Sequence, residues 1–145
     1  KMPDEILDAL LINKLKTTFE NDLPGFLHTW RLLNGEFDFD LDLATNYTRD
    51  YYDRSNHHEN LSWGHLRCQE GFRDMSSLLP SNTVPGLFIH GEHDNISSAA
   101  DAEIMASHTP NSTLNIISKM GHMFFNKNLE KQLVEFITEH ITSNS

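Results

Sequence analysis

Two residues in this chain have the types and the spacing for acid–base chemistry, Asp94 and His122. Val84-Pro85-Gly86-Leu87-Phe88-Ile89-His90-Gly91-Glu92-His93-Asp94 reads as a buried strand that runs into a turn and ends in a carboxylate. Ser112-Thr113-Leu114-Asn115-Ile116-Ile117-Ser118-Lys119-Met120-Gly121-His122 reads as a second strand that ends in an imidazole. An acid followed by a histidine, each at the C-terminal end of a parallel strand, matches the last two members of a Ser…Asp…His triad in that chain order. An imidazole titrates near neutrality, so it can take a proton from a hydroxyl and return it to a leaving group. A carboxylate beside it fixes the tautomer and stabilises the imidazolium that forms. The bland alternative is that Asp94 closes a turn and His122 ends a strand. The nucleophile is missing: no Gly-x-Ser-x-Gly occurs in these residues. Ser62, Ser97, Ser98 and Ser118 lack the small-residue surroundings of a nucleophile elbow, and Ser97 and Ser98 read as N-cap residues of the next helix.

The elements that must position this pair follow from periodicity. From Val84 onward the pattern is strand at Leu87-Phe88-Ile89, helix over Ser98 to His108, strand at Leu114 to Ile117, and helix over Leu129 to Ile141. Strand–helix–strand in so short a span requires parallel strands joined by a crossover. Two parallel strands leave faces and edges that need cover, so further strands are expected from outside these residues. Ahead of Val84 the chain reads as helical. A first amphipathic helix is expected from Asp4 to about Phe19, broken by Asn21-Asp22-Leu23-Pro24-Gly25. A second runs from Pro24 to Leu33 and stops at Asn34-Gly35; a third spans Leu41 to about Arg54; a fourth covers roughly Ser62 to Phe72.

Composition sets the outer limits. The 145 residues suffice for a domain with a core, and 38% hydrophobic with 22% charged residues fits a globular protein. Eleven Lys and Arg against 21 Asp and Glu give a net charge of −10, which argues against a nucleic-acid partner. No apolar run is long enough for a membrane span. The single Cys68 excludes an intrachain disulfide and fits a reducing compartment; with no presequence at Lys1-Met2-Pro3-Asp4, a cytoplasmic location is the expectation. Pro3-Asp4-Glu5-Ile6 reads as the capped start of an internal helix, so the chain is expected to begin within a longer protein.

These motifs resemble a known superfamily. His90-Gly91-Glu92-His93-Asp94 is similar to the "HGxxD" stretch carrying the triad acid of α/β-hydrolases, and Lys119-Met120-Gly121-His122 to their "GxGH" or "GMGH" stretch, with lysine where glycine is commoner. Pro110-Asn111-Ser112 and the interval from Asp94 to His122 also fit, and Tyr52-Asp53-Arg54-Ser55 with Met120-Gly121-His122 resemble aclacinomycin methylesterase-like members. The resemblance implies an α/β fold, the C-terminal portion of an α/β-hydrolase: a helical lid over residues 1–80, then residues 81–145 as the end of the core with two parallel strands and flanking helices. It implies a serine hydrolase of a small or medium carboxylic ester, with Asp94 as orienting acid and His122 as general base. The nucleophile and oxyanion donors would lie in an N-terminal half of the same protein, so this chain alone is expected to be inactive. Neither cofactor nor metal is implied. Thioester, lactone, amide and epoxide hydrolysis stay open. So does a non-catalytic relative that binds ligands or partners, and, less consistent with the unpaired strands, an autonomous helical binding domain.

Other residues carry weaker signals. Phe26, Trp30, Tyr47, Tyr51, Tyr52 and Trp63 suit an apolar substrate pocket, although their helical spacing is also what packing produces. Trp30 and Tyr51, with Met123 and Phe124 directly after the histidine, are the expected substrate contacts. His90, Glu92, His93 and Asp94 interleave acids and imidazoles, yet alternate residues of a strand face opposite ways, so a metal site is not expected. His57-His58-Glu59 reads as a solvated loop, and Arg49, Arg54, Arg67 and Arg73 as surface or intralid ion-pair residues.

Overall fold

The computed structural model describes residues 3–12, 18–54 and 76–145. Helix α1 (Asp4–Ile12) starts on the Pro3 carbonyl, which accepts the Ile6 and Leu7 amides, and it buries Ile6 and Ala9. Helix α2 (Phe19–Leu33) begins earlier than the expected start at Pro24 and runs through the supposed break at Asn21–Gly25, so Phe19 opens this helix rather than closing the first. Thr18 is the reason. It is extended and its hydroxyl accepts the Asn21 amide at 3.4 Å, satisfying a free N–H of the first turn. Glu20 and Asp22 add negative charge where the helix dipole favours it. Pro24 then lies inside α2 and forfeits one backbone bond, which burial of Phe19, Phe26, Thr29 and Leu33 outweighs.

Asn34 caps α2, and Gly35 turns the chain away with φ +72°. Helix α3 (Leu41–Asp53) is capped by Asp40, whose carboxylate accepts the Leu43 amide at 3.0 Å. It packs on α2 through buried Ala44 and Thr48. The Thr48 hydroxyl accepts from Trp30 Nε1 at 2.8 Å. Thr29 Oγ1 reaches the Ala9 carbonyl at 3.4 Å, which ties α2 to α1. The expected helix over Ser62 to Phe72 falls outside the described residues. A short 3-10 helix at Ser76–Ser81 leads to the sheet.

Strands β1 (Gly86–Gly91) and β2 (Ser112–Ile117) pair in parallel, with Phe88 beside Leu114 and His90 beside Ile116. Between them, α4 (Ala99–His108) is the crossover, capped by Ser98. Helix α5 (Lys127–Ser143) closes the chain, with Asn126 Oδ1 accepting the Asn128 and Leu129 amides. The core gathers Ile117, Met120 and Leu129, with Phe37, Ile89, Leu133 and Phe136 against it. Among the described residues the sheet has two strands, and Leu87, Phe88 and Ile89 are only half-buried. Val134, Ile137 and Ile141 of α5 are exposed apolar groups. No described helix is long and apolar enough to cross a membrane.

Candidate active site

Both strands end beside one another, and the turns after them bring Asp94 and His122 together. After β1, the Glu92 amide donates to the Ile117 carbonyl at 3.0 Å and the His93 amide to the Met120 carbonyl at 2.8 Å, so the two turns are stitched by backbone. His122 Nδ1 lies 2.8 Å from Asp94 Oδ2, a distance for a charge-assisted bond in which the ring N–H donates. The Asp94 side chain is 6% exposed and that of His122 41% exposed, so a covered carboxylate holds an open imidazole. His122 Nε2, the nitrogen facing away from Asp94, has no partner among the described residues.

The rest of the Asp94 shell comes from the chain just beyond it. The Ile96 and Ser97 amides donate to Oδ1 at 2.7 and 3.0 Å, and Ser97 Oγ lies 3.1 Å from Oδ2. Burial pushes the Asp94 carboxyl up, but the Ser97 amide, His122 and the Ile96 amide together hold it below its ordinary value. Asp94 therefore stays ionised at neutral pH.

The loop carrying His122 is gripped from the other side by the chain after α2. Gly35 and Met120 form an antiparallel bridge. The Glu36 amide donates to the Lys119 carbonyl at 2.8 Å and the Met123 amide to the Leu33 carbonyl at 2.9 Å. The side chain of Asn34 accepts the Phe125 amide at 2.9 Å and donates to the Phe37 carbonyl at 3.0 Å. Asp40 receives Lys127 at 3.6 Å. A Cβ on Gly91 or Gly121 would overlap backbone of the facing segment, so these crossings require glycine. Sequence reasoning missed Asn34; its one signal, an Asn-Gly pair at a helix end, marks a stop and says nothing of the loop it would hold.

The aromatic candidates divide. Trp30 and Tyr51 belong to a packed group: Trp30 lies against Phe26, Tyr47 and Phe125, and Tyr51 stacks on Tyr47 at 6.4 Å and meets Phe26. Burial, with Tyr47 adding to it, raises the Tyr51 phenol above its ordinary value. Met123 is half-buried, whereas Phe124, two residues from His122, is 44% exposed. Arg49 lies over the Phe19 ring at 4.0 Å, and Arg54 Nε donates to the Asp50 carbonyl, so both serve the helices. His93 pairs with Glu36 at 3.1 Å and lies 3.9 Å from Glu92, which itself receives Ser118 Oγ at 2.7 Å. Among the described residues no group of three or more His, Cys, Asp and Glu is placed to hold a metal ion. Ser98 caps α4 as expected, but the Ser97 hydroxyl turns to Asp94 instead of a helix terminus. Ser62, Trp63, Arg67, Cys68, Arg73 and His57-His58-Glu59 lie outside the described residues.

Solved structures share this architecture. The chain aligns over 94% of its length with 47% of an esterase from Exiguobacterium antarcticum, at TM-score 0.62 and 23% identity. Est816, an N-acyl homoserine lactone degrading enzyme, aligns over 95% of this chain and 51% of its own, at TM-score 0.58 and 16% identity. A hydrolase from Oleispira antarctica gives 93% and 47%, at TM-score 0.52 and 17% identity. No known family profile and no curated protein matches the sequence. At these identities the likeness concerns the fold: the chain has the architecture of the C-terminal portion of an α/β-hydrolase, and it spans about half the length of the solved chains.

Proposed function

We propose that this chain supplies the acid and the general base of a serine hydrolase acting on a small or medium carboxylic ester. Asp94 orients His122, and His122 Nε2 takes the proton of a serine hydroxyl and returns it to the leaving alcohol. The observation that carries this reading is the 2.8 Å bond from His122 Nδ1 to a covered, ionised Asp94, with the imidazole open on its other side. The serine and the oxyanion donors belong to an N-terminal part of the same protein, so the 145 residues alone are inactive. Residues 1–80 act as the lid over the site and residues 81–145 as the end of the catalytic core. The half-buried strands, with one edge each lacking a partner strand among the described residues, support this division of labour.

Intact-mass measurement of the complete protein, before and after a serine-directed phosphonate, tests the reading. One phosphonyl adduct in the wild type, its formation abolished in His122→Ala, is the expected result. An unreactive protein with Gly or Ala at the elbow position would overturn it and leave a ligand-binding or interaction role for the same fold.

A further inference from the structure

We infer that His90 is a positioning residue that governs Asp94 through the hydroxyl of Ser97; this rests on reading Asp94 and His122 as acid and base. The His90 side chain is 15% exposed on β1, one of its nitrogens facing a backbone carbonyl and the other a hydroxyl. Nδ1 lies 2.9 Å from the Gly91 oxygen, which can only accept, so Nδ1 carries a proton whatever the charge of the ring. Nε2 lies 3.1 Å from Ser97 Oγ, and the same Oγ lies 3.1 Å from Asp94 Oδ2. The hydroxyl has one proton for two acceptors.

The charge of His90 decides where that proton points. In neutral His90, Nε2 is a bare acceptor that draws the Ser97 proton, and Asp94 Oδ2 is left to His122. In protonated His90, Nε2–H donates to Ser97, whose own proton turns to Asp94 Oδ2. The imidazolium then stands 3.7 Å from that same oxygen. A proton taken from solvent onto His90 thus competes with His122 for one carboxylate oxygen. Neutral His90 gives Asp94 its full hold on the imidazolium that His122 becomes during turnover. Among the described residues Asp94 is the one charged group that pairs with His90. Its register neighbour on β2 is the apolar Ile116. The neighbouring His93 is engaged by Glu36 and Glu92, the α4 acids Asp101 and Glu103 are exposed, and the α5 groups Lys127, Lys131, Glu135 and Glu139 are exposed as well.

The test is a pH titration of the complete protein labelled with 15N-histidine, following ring nitrogens by NMR. In the wild type His122 should move in two steps, one coincident with the titration of His90. His90→Gln, a hydrogen-bonding side chain that cannot take up a proton, should leave one step. Ser97→Ala keeps the amide on Asp94 Oδ1 but removes the hydroxyl, and should shrink the second step. With p-nitrophenyl butyrate as probe, the acid limb of kcat/KM should show two inflections in the wild type and one in His90→Gln. Ser97→Ala should lower kcat about tenfold with little change in KM. A single His122 step in the wild type, unmoved while His90 titrates, overturns the proposal without recourse to any variant. A protein inert to phosphonate but showing two steps would reject the hydrolase reading and keep the coupling; a reactive protein with one step would do the reverse.

Discussion

Asn34, 1% exposed at the end of α2, accepts the backbone amide of Phe125 at 2.9 Å across a separation of 91 residues. This bond joins the helical segment to the loop that holds His122, between the Gly35–Met120 bridge and the Asp40–Phe125 backbone bond. Asn34→Ala leaves the buried Phe125 amide and the Phe37 carbonyl without their partner. A stability loss of about 3 kcal/mol follows from two lost bonds and an orphaned donor. Denaturant unfolding measures it, and a loss under about 1 kcal/mol would mean that water replaces the side chain.

Asp94→Asn separates orientation from mere space-filling. The amide can donate to His122 Nδ1 and so favour the wrong tautomer, and turnover by the complete protein should drop about 10⁴-fold. The same variant has a signature in stability. The Asp94 carboxyl is lowered from 3.8 in the folded state, so its ionisation contributes stability above the unfolded value, and this is lost as pH falls through the lowered one. The part of the stability gap between wild type and Asp94→Asn that comes from ionisation of the carboxylate should therefore close below about pH 4. A gap that widens in acid would contradict the assigned bonds.

The pairing of Asp94 with His122 was legible because its information is local: a short apolar strand, a tight turn and a carboxylate or imidazole at a fixed offset. The presence of β1 and β2 and the extent of α4 were readable for the same reason, with Ser98 a plain cap. The start of α2 was not. Pro24-Gly25 is a strong local stop signal, but the Thr18 cap and the burial of Phe19 and Phe26 carry the helix through it. Nor was the second partner of Asp94 visible, since Ser97 looks like a cap and its hydroxyl instead meets His90 and Asp94. The grip of Asn34 on Phe125 depends on tertiary pairing that no local pattern encodes.

Two turn positions make opposite predictions. Lys119 has φ +67°, a conformation a lysine adopts at a cost and a glycine does not. Lys119→Gly keeps the backbone carbonyl that receives the Glu36 amide and should raise stability by about 0.5–1 kcal/mol after the entropy of the added glycine is counted. Gly35→Ala should cost about 3 kcal/mol or more, because it meets positive φ and backbone overlap with Lys119 and Gly121 together. Thermal melts of the two variants should move in opposite directions; parallel shifts would place the strain elsewhere.

Phe124 and Trp30 allow substrate contact to be told from packing. Phe124 stands exposed beside His122, and its removal uncovers little of the interior. Trp30 packs between α3 and Phe125 and spends its N–H on Thr48 at 2.8 Å. If Phe124 lines the substrate site, Phe124→Ala in the complete protein raises KM for an ester with a long acyl chain more than for an acetate, while unfolding free energy changes by less than about 0.5 kcal/mol. Trp30→Phe should do the reverse: a loss of about 1–3 kcal/mol from the vacated volume and the lost hydrogen bond to Thr48, with the acyl-chain preference unchanged. A change in acyl preference from Trp30→Phe at full stability would move the pocket into the helical segment and make the α2–α3 aromatic group its wall.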